Sequence, residues 1–286
     1  MNILLLALLA GATAFSLSAA ETAPKTDAKT QAKAKPQAKA RKAPQALLAD
    51  GGLKLATTAA PRMDPAAENK TSWHKYYDNK RKQIARYKND VQILFLGDSI
   101  THFWNRDSVK DKRGIGGSVT FKKYFSKYRL VNLGYAGDRT RHTLWIINDS
   151  KLLDNIKPQL VVLMIGTNNL GFREATPQAT AEGIKTVVAA IRTKLPEAHI
   201  LLFGVFPRAE KPDHFYRKKI KTINNIICTL ADGKNITYCD ITDKLLEKDG
   251  TLSRKVMPDQ LHPAEPGYEV WAQAIMPSVS KFVDKK

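Results

Sequence analysis

Five residues in this sequence are of the right type for acyl-transfer chemistry: Ser99, Asp259, His262, Gly137 and Asn168. Ser99 follows the apolar run Val91 to Leu96 and the break Gly97-Asp98, so its hydroxyl sits where a buried strand hands over to a helix. A serine hydroxyl needs a base to become a nucleophile at neutral pH, and histidine is the usual one. His262 fits that role because Asp259, three residues before it, can orient the imidazole and stabilise its charged form. Negative charge forming on a substrate oxygen must meet donors aimed at it. The N–H of Ser99, the N–H of Gly137 and the side-chain amide of Asn168 can supply them. Each residue also has an ordinary reading: Asp98 or Ser99 as a helix cap, Asp259-x-x-His262 as a surface turn, Gly137 as a turn needing positive φ, Asn168 as a cap.

What favours chemistry is the set of elements that would bring the five together. Apolar runs at Val91–Leu96, Arg129–Leu133, Gln159–Ile165, Ile200–Phe206 and Ile236–Ile241 read as strands. Segments of helical period separate or flank them, at Ser72–Lys88, Phe121–Phe125, Thr140–Leu153, Thr176–Lys194, Phe215–Ala231 and Pro266–Phe282. Strands alternating with helices imply parallel pairing through right-handed crossovers. The expected fold is α/β, a three-layer α/β/α sandwich around a five-stranded parallel sheet. In such sheets a site forms outside the carboxyl ends of the strands. Those ends carry Gly97-Asp98-Ser99, Gly134 to Asp138, Gly166-Thr167-Asn168-Asn169 and, beyond the fifth strand, Asp259 to His262.

The rest of the 286 residues narrows the class. Asn2 to Phe15 is nearly all apolar, too short to span a bilayer comfortably, and ends in the small-residue run Ser16 to Ala20. Residues 1–20 therefore read as a signal peptide cleaved after Ala20, giving a secreted or periplasmic protein. Residues 21–65, rich in Ala, Lys, Pro and Gln, read as a disordered basic tether, and 66–286 as one catalytic domain. Basic charge extends beyond the tether, since residues 65 to 286 hold 37 Lys and Arg against 23 Asp and Glu. Such charge suits acidic polymers such as anionic glycans or lipid, but a generally basic solvated surface is the better reading, and the tether is the candidate for envelope association. No nucleic-acid module accompanies it, so no nucleic-acid partner is expected. Outside the cytosol the pair Cys228 and Cys239 invites a disulfide, but one falls in a helical and the other in a strand pattern, both apolar, which favours two buried free thiols over a bond. No metal-binding motif is present, and neither metal nor cofactor is expected. Arg113-Gly114-Ile115-Gly116-Gly117 lacks the features of a phosphate loop and reads as a plain loop. His102 is the rival base; His74, His142, His199 and His214 have no comparable acidic partner in sequence.

The blocks Gly97-Asp98-Ser99-Ile100, Asn132 to Asp138, Gly166 to Asn169 and Asp259-x-x-His262 resemble those of the SGNH (GDSL-type) hydrolases. Within that superfamily, Asp138 to Trp145 and Gly166 to Asn169 resemble the platelet-activating-factor acetylhydrolase Ib catalytic subunits. Gly-x-Ser-x-Gly, the elbow of a different hydrolase fold, is absent around Ser99. The resemblance implies a flavodoxin-like sheet and metal-free ester hydrolysis. It implies Ser99, His262 and Asp259 as triad, with Ser99, Gly137 and Asn168 as oxyanion donors. The expected function is an exported serine esterase acting on short acyl esters, acetyl first, possibly on an O-acetylated glycan. The alternatives are a lysophospholipase or lipid esterase, and a non-catalytic glycan- or envelope-binding protein.

Overall fold

Five parallel strands in the order β2-β1-β3-β4-β5 form the centre of the protein, with β1 Ile93–Gly97, β2 Leu130–Asn132, β3 Leu160–Met164, β4 His199–Phe203 and β5 Ile236–Cys239. The computed structural model describes residues 49–171 and 174–284. The signal peptide and the first part of the expected tether lie outside those residues. This strand order is the flavodoxin-like one that the family resemblance implied. β1 pairs with β2 on one side, Ile93 opposite Leu130, and with β3 on the other, Ile93 opposite Leu160.

Alternation along the strands decides which layer each residue feeds, because successive side chains leave a strand on opposite faces. Leu94, Leu96, Val161 and Leu163 join one core with helices α2 (Ser72–Arg86), α5 (Thr140–Asn148), α7 (Pro177–Lys194) and α8 (Phe215–Ile227). Ile93, Phe95, Leu160 and Val162 join the other, with α4 (Ser118–Phe125), the short α9 (Thr242–Leu245) and α10 (Glu265–Phe282). In that second layer Trp104 packs on Tyr268 and Trp271 of α10, with ring centroids 4.5 and 5.0 Å apart. The Tyr268 hydroxyl donates to the Ile100 carbonyl at 2.7 Å, which ties α10 to the helix that carries Ser99.

The expected boundaries shift where tertiary context intervenes. The segment expected to be helical to Leu153 stops at Asn148, before Lys151 with φ 62°. Cys228 lies in a single 3-10 turn after α8, and Cys239 on the edge strand β5. Both thiols are free, as expected, but half-buried rather than buried, because an edge strand and a helix end are each covered on one side only.

The tether was expected to run unstructured to residue 65, and here the structure differs. Leu53–Thr57 forms helix α1, begun by Asp50, whose carboxylate accepts from the N–H groups of Gly52 and Lys54 at 2.9 Å each. Ala56 is buried, and its carbonyl accepts from the Thr140 hydroxyl at 2.7 Å. Thr176 N–H donates to the Gly51 carbonyl at 2.8 Å. A five-residue helix has no readable period and little stability of its own. Its order comes from contacts with α5 and the start of α7, which a local reading of composition cannot supply.

Close packing of α1 on α7 makes a specific prediction. A Cβ at Gly183 would stand 2.8 Å from the Ala56 carbonyl oxygen and 2.7 Å from the Thr140 hydroxyl. Gly183→Leu should lower stability by about 1–3 kcal/mol through overpacking. It should also speed tryptic cleavage after Lys54 as α1 is pushed off. Thermal melts and timed proteolysis check this; an unchanged cleavage rate at Lys54 would overturn the packing of α1.

Candidate active site

Ser99 opens helix α3 (Ser99–His102) straight after β1, and the preceding residues explain how tightly it is held. A Cβ at Gly97 would collide with the Thr101 hydroxyl and the Met164 carbonyl, so only glycine lets strand, helix and neighbouring strand meet this closely. Asp98 caps the helix, its Oδ1 accepting from Ile100 N–H at 2.9 Å. The capping reading and the presentation of Ser99 are thus both true of this turn. As the first helical residue, Ser99 has no intrahelical acceptor for its own N–H.

The Ser99 hydroxyl lies 2.9 Å from His262 Nε2, across 163 residues of chain. On the far side of the ring, Nδ1 lies 2.8 Å from Asp259 Oδ2. Asp259 works with both oxygens, since Oδ1 accepts from the N–H groups of Leu261 and His262 at 3.2 and 2.8 Å. One carboxylate therefore fixes both the turn that carries the histidine and the orientation of its ring. Desolvation pushes the Asp259 pKa up, but the ring and N–H of His262 and the N–H of Leu261 outweigh it and hold the pKa at about 2. Asp259 is charged at neutral pH, Nδ1 carries the proton, and Nε2 is left to accept the serine proton.

The two candidate donors flank Ser99 because the strand order reverses there, with β2 on one side of β1 and β3 on the other. Gly137, after β2, has φ +83°, a left-handed conformation that favours glycine. Asn168, in helix α6 (Thr167–Gly171) after β3, gives one amide hydrogen to the Asp138 carbonyl at 2.9 Å and keeps a second. A primary amide aimed at the same edge as a serine N–H can receive a developing oxyanion.

His102, the rival base, is turned away from that task. Its Nδ1 accepts from Ala136 N–H at 3.2 Å, and its ring stacks on Tyr135. Burial, with the charges of Lys80 and Arg106, pulls its pKa down to about 4, so it is a neutral acceptor bracing the loop after β2. His142, expected to have no comparable acidic partner, has none: Asp138 Oδ1 stands 3.6 Å from its Nδ1 in the interior, but the Asp138 carboxylate accepts no hydrogen bond among the described residues. The same Nδ1 accepts from Arg139 N–H at 3.1 Å, and burial takes its pKa down to about 3. His74, His199 and His214 bond to the Asp64 carbonyl, the Thr237 hydroxyl and the Tyr216 N–H, away from the serine.

Sequence reasoning passed over the loop that steadies the histidine. Ile115 bridges Ala264, Gly116 N–H donates to the Pro263 carbonyl at 3.2 Å, and Arg113 Nη1 donates to Asp259 Oδ2 at 3.2 Å. The only sequence trace of this was the glycine run beside Arg113. Arg208 was also missed. Its guanidinium lies over the Tyr216 ring at 4.2 Å and its charge is felt by Asp98 and Asp259. Among the described residues no group of three or more His, Cys, Asp and Glu side chains comes together as metal ligands would.

The model of the GDSL-like Lipase/Acylhydrolase family matches residues 95–270, a span that includes all five residues. The chain belongs to this family. The platelet-activating factor acetylhydrolase IB subunit alpha2 of Rattus norvegicus is 33% identical over 179 residues, covering 63% of this chain and 72% of that protein. The alpha1 subunit of Bos taurus is 28% identical over 187 residues, covering 65% and 74%. Among solved structures, a GDSL-like lipase from Bacteroides thetaiotaomicron superposes with a TM-score of 0.58 at 21% identity, over 72% of this chain and 97% of that one. A variant of an acetyl-xylooligosaccharide esterase from Geobacillus gives 0.51 at 19% identity, over 66% and 94%. The fold is thus that of the SGNH hydrolases, and the protein is a carboxylic ester hydrolase.

One further carboxyl in this acylhydrolase carries a pH signature. Asp98 is fully buried, and desolvation pushes its pKa up to about 6 against the help of Ile100 N–H and the charges of His262 and Arg208. A folded pKa above the unfolded value means that the folded state takes up the proton first, so this group favours folding increasingly as pH falls from about 6 towards about 4. Its ionisation costs about 3 kcal/mol at pH 8 on that basis. Asp98→Asn, whose amide oxygen can still cap Ile100, should raise Tm at pH 8 and change it little at pH 4. Calorimetry at both values is the check, and an equal shift at both would contradict the assignment.

Proposed function

We propose that this acylhydrolase is an exported serine esterase that removes short acyl groups, acetyl first, from a hydroxyl of a carbohydrate. The observation that carries the catalytic part is the continuous chain Ser99 Oγ, His262 Nε2, His262 Nδ1, Asp259 Oδ2, with links of 2.9 and 2.8 Å. In this reading Ser99 Oγ attacks the ester carbonyl carbon while His262 Nε2 takes its proton. The carbonyl oxygen becomes negative and is met by the N–H groups of Ser99 and Gly137 and the amide of Asn168. When the tetrahedral species collapses, His262 returns the proton to the departing alcohol and the acyl group stays on Ser99. A water then gives its proton to His262 and attacks the acyl carbon, and the second collapse frees the acid and restores the serine. Asp259 holds the imidazole in one tautomer throughout and stabilises its charged form.

Support for a short acyl group comes from relatives named for acetyl removal, an acetylhydrolase subunit and an acetyl-xylooligosaccharide esterase. Support for export and for a glycan comes from the apolar amino-terminal run ending at Ala20 and from the basic charge that follows it. The family's own description, lipase or acylhydrolase, keeps a lipid ester as the second reading.

Release of p-nitrophenol from acetate, butyrate and octanoate esters separates these. The acetate ester should be turned over with the highest kcat/KM; preference for octanoate would favour the lipid reading. Ser99→Ala and His262→Ala should each lower kcat by about 10⁴ or more, and Asp259→Asn by about 10⁴ through the wrong tautomer, with folding intact. A Ser99→Ala variant as active as wild type would refute the triad.

A further inference from the structure

The span matched by the family begins at residue 95, yet chain well ahead of it reaches the site. After α1, the Ala60 N–H donates to the Arg141 carbonyl at 3.1 Å, which lays the following residues along the loop that leaves β2. From there Arg62 Nη1 donates to the Gly137 carbonyl oxygen at 2.9 Å. A Cβ at Gly137 would stand 2.6 Å from Arg62 Nη2, so the guanidinium rests against the bare Cα of the glycine.

That contact falls where the chain most needs an outside hold. A glycine visits positive and negative φ with similar ease, so nothing intrinsic keeps Gly137 at +83° or keeps its N–H pointing one way. The neighbouring residues are tied already. The Tyr76 hydroxyl shares its one proton between the carbonyls of Asn132 and Gly134, at 2.8 and 2.6 Å, and His102 takes the N–H of Ala136. Arg62 supplies the corresponding tie at Gly137. It also brings positive charge beside Asp138, whose carboxylate is fully buried and accepts no hydrogen bond among the described residues.

We propose that Arg62 is a positioning residue of the active site: by holding the Gly137 carbonyl, in the peptide after the donor N–H, and resting against the Gly137 Cα, its guanidinium keeps this residue in the turn from which the Gly137 N–H faces the substrate oxygen that becomes negative. The inference rests on the oxyanion role given to Gly137 above. It makes the segment before the family-matched span part of the catalytic apparatus of this chain.

The alternative is that Arg62 merely fastens the amino-terminal segment to the domain. A fastening residue changes stability; a residue that fixes an oxyanion donor changes kcat. The full chain carrying Arg62→Met, Arg62→Lys or Ser99→Ala is compared with wild type on p-nitrophenyl acetate, beside thermal melts. Arg62→Met should lower kcat by about tenfold or more with KM within about twofold, a smaller loss than deletion of a donor itself. Arg62→Lys, which keeps the charge and one donor, should recover part of that loss. A kcat for Arg62→Met within twofold of wild type overturns the inference, and so does a rise in KM at constant kcat, which would make Arg62 a substrate ligand. If Arg62→Met does not fold, Arg62→Gln, which removes the charge and is too short to keep the contact with the Gly137 carbonyl, decides by the same split, with a kcat within twofold of wild type again the overturning result. Turnover surviving in Ser99→Ala would defeat the triad reading itself; an inactive Ser99→Ala beside a fully active Arg62→Met defeats only the role of Arg62.

Discussion

Parallel pairing is the constraint on which everything else in this protein depends. Because all five strands point the same way, every strand end that matters emerges at one edge, and residues separated by most of the chain meet there. The reversal of order at β1 sets Ser99 between the loops after β2 and β3. The helix α10 then closes the arrangement from the other layer, since Tyr268 and Trp271 pack against Trp104 and the Tyr268 hydroxyl bonds to the Ile100 carbonyl of α3. The Asp259–His262 turn lies directly ahead of α10. Packing of α10 on the sheet therefore fixes where the imidazole stands relative to the serine.

Within a small volume the protein sets five ionisable groups apart by giving each its own surroundings. Asp259 is half-exposed, faces Arg113, and accepts three bonds from its own turn and ring, so it stays charged. Asp98 and Asp138 have no comparable set of donors, and burial favours their neutral forms. His102 is surrounded by rings and positive charge and stays neutral. Only His262 combines a charged acid on one nitrogen with a hydroxyl on the other. Bond geometry, more than residue type, distinguishes it from the other histidines.

The sheet and the five site residues were legible because their signals are local: strands as short apolar runs, helices as stripes of period 3.6, strand ends as glycine turns carrying Ser99, Gly137 and Asn168. His142 shows the limit. Its carboxyl neighbour Asp138 stands four residues earlier, yet Nδ1 accepts from the Arg139 N–H instead, a choice made by the turn that opens α5 and not readable from spacing. Arg113 and Arg62 were out of reach for a different reason. Each is an unremarkable cation in a polar stretch, and each acquires meaning from a partner far along the chain, Asp259 for one and Gly137 for the other. Helix α1 is the same case at the level of backbone, ordered by Thr140 and Thr176 and not by its own five residues.

The two thiols have a consequence for how the chain reaches this state. Cys228 and Cys239 are uncrosslinked, and the core is complete without them: two apolar layers packed on either side of a sheet in which every strand is held by backbone pairing. Folding therefore requires no thiol oxidation, and no step of it waits on the correct choice between sulfur partners. The active geometry is complete with both thiols reduced.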